Sequence, residues 1–208
     1  MTAALETRED WLTLASILLR PDLESAAEGI PGAAWPARLA LSTGWPAGSR
    51  GSRKVTGQCW SPRASADGQT TAVFISPALA TAPEALATLA HELVHAVVGL
   101  DAGHGAGFAL CAKALGLQAP MTATTPGPTL ARRLAAIAAD CGPYPHVALD
   151  AGESGRPKQS ARMIKCSCAA CGYVARTTKK WIEQAGPPLC PCNSDPMTAT
   201  APAEGEAP

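Results

Sequence analysis

The chain has 208 residues, 47% of them hydrophobic, which suits one main domain with a small module beside it. Lys+Arg and Asp+Glu stand at 17 each, charged residues at 16% and aromatics at 4%, a balance that excludes a charged disordered protein, a collagen-like chain and a coiled coil. The longest apolar stretch, Trp11 to Leu19, contains Thr13 and Ser16 and is far too short for a membrane span. Glu6, Glu9 and Asp10 occupy the N-terminus, where a signal peptide needs positive charge, so a cytoplasmic protein is expected.

In chain order, apolar residues at helical spacing predict a helix over Glu9–Arg20, stopped by Pro21. A Gly/Pro/Ala-rich stretch follows, with one strand expected near Arg38–Ser42 and a second, short one around Cys59-Trp60. After a turn at Asp67-Gly68, the run Thr70–Ile75 is the best strand in the chain, being β-branched and aromatic. A helix is expected from Pro83 to Val98. Thr81 or Ala82 sits at its cap, Pro83 in its first turn and Gly99 just past its end. Two more helices are predicted at Ala106–Leu115, ended by Gly116, and at Pro128–Asp140. Residues 1–150 then form the main domain, 151–160 a linker, 161–198 a cysteine module and 199–208 a small acidic disordered tail.

The predicted Pro83–Val98 helix carries His91-Glu92-Leu93-Val94-His95. Positions i and i+4 share a helix face, so His91 and His95 can both aim a ring nitrogen at one zinc ion. Glu92 then reaches a water on that metal and acts as its base, the pattern of a zinc metalloprotease. A catalytic zinc needs a third protein ligand and an open position. His104 follows His95 by nine residues, after the reversal Gly99-Leu100-Asp101-Ala102-Gly103-His104-Gly105, whose glycines permit the chain to fold back. Asp101 is the rival ligand, or a group that caps the turn or orients a histidine. No Glu lies between Glu92 and Glu153, which argues against a thermolysin-type third ligand, and Val98 and Gly99 do not fit metzincin spacing.

Five of eight cysteines crowd into the C-terminal quarter: Cys166, Cys168, Cys171, Cys190 and Cys192. Without a secretion signal such spacing reads as a metal site rather than disulfides. Cys168-x2-Cys171 followed by Gly172 is a zinc knuckle, and the preferred ligand set is Cys168, Cys171, Cys190 and Cys192. Cys166 is spare or stands in for Cys192. The β-forming stretch from Tyr173 to Ile182 suits the hairpin of a zinc ribbon, whose folding energy the metal would supply. Two zinc ions are thus expected, one catalytic and one structural. Cys59, Cys111 and Cys141 read as small buried hydrophobes. Trp11, Trp35, Trp45 and Trp60 read as core or cover.

The neutral total hides an uneven distribution. Residues 1–155 carry a net −3, 156–182 a net +7 with no acid, and 183–208 a net −4. Basic residues beside Tyr173 and Trp181 suit phosphate contact and base stacking, so a nucleic-acid partner is expected at 156–182.

His91-Glu92-Leu93-Val94-His95, the turn bearing His104 with Phe108 after it, and the basic cysteine module together resemble the SprT-like metalloproteases over about residues 10 to 195. The resemblance implies an α+β, zincin-like metalloprotease domain, with helices packed on a short sheet, followed by a zinc ribbon. It implies ligands at His91, His95 and His104, Glu92 as catalytic base, and proteolysis of DNA-associated or DNA-crosslinked proteins. The compressed Cys190-Pro191-Cys192 and the extra Cys166 depart from the family pattern. Substrate is expected along the edge of the Thr71–Ile75 strand. Tyr144 and His146 are candidates for a further donor, against the simpler reading of a proline-braced loop. The alternative function is a transcription-associated nucleic-acid-binding zinc-ribbon protein on a non-catalytic scaffold.

Overall fold

The computed structural model describes residues 5–47, 55–150 and 163–200. The chain divides into two units, Met1–Ser154 and Gly155–Pro208. Both combine helices with small sheets, an α+β architecture. The expected linker at 151–160 lies outside the described residues, and no described helix is long and apolar enough to cross a membrane.

Helix α1 spans Arg8–Ala26, capped by the Thr7 side chain on the Asp10 N–H, and it runs through Pro21 instead of stopping there. An interior proline costs about 3 kcal/mol. Continuing the helix buries Leu23 and Ala26 on the stripe begun by Trp11, Leu12, Ala15 and Leu19, a gain of similar size. Arg133, in the Pro128–Cys141 helix, ties down this part of α1, donating to the Leu18 carbonyl at 2.8 Å and to Asp22 at 3.0 Å.

Strands β1 (Arg38–Thr43), β2 (Gly57–Trp60) and β3 (Thr70–Ile75) form one sheet in the order β1-β3-β2, with β1 parallel and β2 antiparallel to β3. Burial alternates along β3, with Thr71, Val73 and Ile75 facing the helices and Thr70, Ala72 and Phe74 facing away. The expected substrate edge on Thr71–Ile75 is therefore corrected. β3 is the central strand, its backbone groups taken up on both sides, and among the described residues the strands open on one side are β1 and β2, of which β2 runs beside the Ala82–Val98 helix.

Helix α2 (Ala82–Val98) begins with a full capping box between Thr81 and Glu84 and ends at Gly99, whose φ of +85° only glycine adopts readily. It is the most buried helix, packed on α1, the sheet, α3 (Ala106–Leu115) and α4 (Pro128–Cys141). Between α3 and α4 a short ladder pairs β4 (Leu117–Gln118) with β5 (Thr125–Pro126). This ladder flanks the Met121–Ala123 turn, and Thr124, just before β5, reaches His91 on α2.

The second unit contains β6 (Met163–Ser167), β7 (Val174–Thr178), α5 (Lys179–Ala185) and β8 (Thr198–Thr200), with sheet order β7-β6-β8. The expected β-rich return is strand only as far as Thr178 and helical beyond it, since Lys179, Lys180, Glu183 and Gln184 favour helix once the hairpin ends. The expected disordered tail is corrected at its start: Ala199 pairs with Cys166 and Thr200 with Lys165, while 201–208 lie outside the described residues. Backbone pairing with β6 orders these small residues despite their lack of apolar side chains.

Candidate metal centres

The i, i+4 spacing on α2 places His91 and His95 together as the sequence predicts. The 3-10 turn over Leu100–Ala102 and the left-handed Gly103 (φ +48°) return the chain so that His104 meets both. His104 Nε2 lies 3.2 Å from His95 Nε2 and 3.3 Å from His91 Nε2. A tetrahedral zinc with bonds of about 2.0–2.1 Å needs nitrogen pairs about 3.3–3.4 Å apart, so the donor set fits that ion. Burial, then His104, lowers the His91 pKa to about 4. Burial, then His91 and His104, does the same for His95. Both rings are therefore neutral near pH 7, the form that coordinates a metal.

Two residues that the sequence did not single out hold this geometry. Thr124 Oγ1 lies 2.8 Å from His91 Nδ1. With Nε2 turned to the other histidines, Nδ1 carries the proton and donates to Thr124, which sets the tautomer a ligand needs. Gly57 is the second. A Cβ there would sit 2.6 Å from Glu92 Oε1 and 2.6 Å from Thr88 Cγ2, so only glycine lets β2 pass this close to α2. Neither residue belongs to a motif. Phe108 forms the wall behind the triad, fully buried, with ring centroids 4.4–5.0 Å from all three imidazoles.

Glu92 is 6% exposed and opens into the same cavity of about 460 Å³ as the three histidines. Burial raises its pKa to about 7, and a hydrogen bond from the Cys59 backbone N–H works against that rise. A carboxylate poised near neutrality can both take and return a proton. Asp101 pairs with Arg63 at 3.2 Å and is not among the converging donors. His146 is engaged by Arg8 at 2.9 Å and the Pro77 carbonyl at 2.8 Å, and Tyr144 packs on Trp11 at 4.8 Å. These two residues brace the 142–147 loop and do not line the histidine cavity.

In the second unit, Cys168, Cys171, Cys190 and Cys192 bring their sulfurs within 4.8 Å of one another. The separations of 3.9 Å (Cys168–Cys192), 3.5 Å (Cys171–Cys190) and 3.4 Å (Cys190–Cys192) approach the roughly 3.8 Å edge of a tetrahedral zinc tetrathiolate. The Cys168 thiol is held down to about 7, chiefly by the Cys171 backbone N–H. Gly172, at φ +75°, makes the knuckle turn. Cys166 lies fully buried on β6 in the small apolar cluster with Met197, outside the four-sulfur group. Both clusters can therefore hold metal ions of zinc's preferences. Cys59, Cys111 and Cys141 are buried, each with its thiol pKa raised by burial.

Of the seven basic residues at 156–182, Arg156, Lys158 and Arg162 lie outside the described residues. Lys165, Arg176, Lys179 and Lys180 are exposed, as are Tyr173 and Trp181 at 51% and 55%. Lys165 stands directly across from Arg176, and the Lys180 ammonium lies 5.4 Å from the Trp181 ring. Trp11 is core, Trp35 packs at its margin, and Trp45 and Trp60 are over a third exposed. Comparison of the chain with family models, curated proteins and solved structures gives no match.

Proposed function

We propose that this chain is a zinc-dependent endopeptidase of the SprT-like type, with a zincin-like first unit and a zinc-ribbon second unit, acting in the cytoplasm on DNA-associated or DNA-crosslinked proteins. The observation that carries the reading is the convergence of three imidazole nitrogens at tetrahedral spacing beside a buried glutamate. His91, His95 and His104 would hold the catalytic ion, and the four cysteines a structural one. When bound, the catalytic zinc supplies Lewis-acid polarisation of the scissile carbonyl and acidifies water.

This chain's residues then have definite tasks. Substrate backbone adds to the open side of β2. Ser76 N–H donates to the Thr56 carbonyl, and antiparallel alternation turns the Gly57 and Cys59 backbone groups outward. Cys59 N–H is taken by Glu92, which leaves the Gly57 N–H and both carbonyls for an extended peptide. Glu92 takes a proton from the attacking water at its carboxylate and returns it to the departing amine nitrogen. Burial keeps the carboxylate in a low-dielectric setting where its proton affinity stays high. The exposed cations and aromatics of the second unit recruit nucleic acid.

The test is cleavage of a histone with and without single-stranded DNA, with Glu92→Gln as matched control. Cleavage by the unaltered protein alone, stronger with DNA, is expected. A zinc-loaded protein that binds DNA and cleaves nothing would instead favour the nucleic-acid-binding reading, for which the exposed Trp181 beside Lys180 speaks. Lys179→Glu with Lys180→Glu separates recruitment from chemistry. Unchanged activity on DNA-bound substrate would remove the basic module from the reaction.

A further inference from the structure

β2 separates two cavities. Gly57 and Cys59 point to the helices, and Gln58 and Trp60 point to the opposite, open face of the sheet. On that open face lies a second cavity of about 390 Å³, walled by Trp45, Trp60 and Phe74 and floored by Ala72. Its walls are fixed in place: Ala47 N–H donates to Gln58 Oε1 at 2.8 Å, which holds the Trp45 segment over the sheet. Gln58 lines both this cavity and the histidine cavity. Trp45 and Trp60 remain 37% and 38% exposed, far more than core tryptophans such as Trp11.

The lining identifies the occupant's class. Its described walls are the rings of Trp45, Trp60 and Phe74 with Ala72 beneath them, and no charged side chain is among the described lining residues, which suits a neutral apolar group. Strand geometry identifies its source. Side chains of an extended peptide alternate between the two faces of a sheet. A peptide lying on the open side of β2 with one residue toward Glu92 presents the next to Trp60. We infer that the Trp45–Trp60–Phe74 cavity is a substrate subsite that takes a large apolar side chain, aromatic or leucine-like, of the bound polypeptide. This rests on the peptidase reading above and adds to it a sequence preference located outside the metal centre.

The experiment uses full-length Glu92→Gln protein, so that binding is read without turnover. Labelled eight-residue peptides, identical but for Phe, Leu or Ser at one position scanned along the chain, are titrated by fluorescence anisotropy. At one position, Phe and Leu are expected to bind at least about tenfold more tightly than Ser, the scale set by burying one such side chain. Trp60→Ala removes the wall and Ala72→Leu fills the floor. Each is expected to reduce the preference to within about twofold, and the second guards against a fold defect peculiar to the first. Equal affinity for all peptides at every position, or a preference that survives both substitutions, overturns the subsite. So does oligothymidine binding that Trp60→Ala abolishes, since that would make the cavity a base pocket. A preference in binding combined with no cleavage by the unaltered protein would overturn the peptidase and leave the subsite standing.

Discussion

The histidine centre is built on a helix that would be buried with or without a metal, whereas the cysteine centre has almost nothing else to be buried in. Around α2 lie Trp11, Leu86, Leu89, Leu93, Val94 and Phe108, all fully buried, and His91 and His95 stand at the margin of that packed interior. Among the described residues of the second unit the buried ones are Cys166, Cys168, Cys190 and Met197, two of them ligand candidates. One centre borrows rigidity from a core, and the other replaces a core. The surroundings thus distinguish a metal site set into a core from one that stands in for a core.

The largest expected effect tests that contrast. Structural zinc in small modules is worth on the order of 10 kcal/mol or more. Chelation should therefore release the amides of β6 and β7 to rapid hydrogen exchange while α2 stays protected. Protection retained in both units would mean that the module folds unaided. Cys168→Ala should mimic chelation and abolish the tetrathiolate cobalt spectrum, whereas Cys166→Ala should keep it.

Within the histidine centre, Glu92→Gln should lower turnover by about 10²- to 10⁴-fold with metal content unchanged. Thr124→Val leaves the His91 Nδ1 proton without its acceptor and should weaken metal affinity by about 10- to 100-fold, with Thr124→Ser restoring most of it. Equal affinities in a competition titration would show that Thr124 does not orient the ring. Gly57→Ala forces its methyl group against Glu92 and should destabilise the first unit by about 1–3 kcal/mol in urea unfolding. An unchanged midpoint would mean that β2 shifts freely.

The smallest effect lies in the turn before β3. Asp67 accepts from the N–H groups of Gln69 and Thr70 and from the hydroxyls of Thr70 and Ser65, and these bonds hold its carboxyl well below the usual carboxylate range. A depressed folded pKa gives stability that is present above the unfolded pKa and lost as pH falls through the folded one. The Tm gap between the unaltered protein and Asp67→Asn should accordingly be constant near neutrality and close only in strong acid. A gap that closes between pH 6 and pH 8 would point to another group, such as Glu92.

Much of this molecule is written in local pattern. Strand β3 and helix α3 appear where the residues place them, and α2 begins and ends on its own cap residues. His91, Glu92 and His95 need only helical geometry to meet. His104 needs only a glycine-rich reversal, and the four cysteines need only a knuckle and a tight return. These are short-range consequences of backbone angles and spacing, which a sequence carries directly.

Other features follow from neighbours distant in the chain. Pro21 stops a helix by local rules, yet α1 continues because Leu23 and Ala26 find a core made by other elements. β3 looks like an edge or a centre equally well in isolation, and only its pairing with both β1 and β2 makes it central and leaves those two as the edges. Thr198–Thr200 has no apolar pattern and is ordered by the ladder it completes on β6. Thr124 and Gly57 are unremarkable as residues. They matter because folding brings one within hydrogen-bond reach of His91 and the other against Glu92, and contacts across 33 or 35 positions of chain exist only once the core has formed.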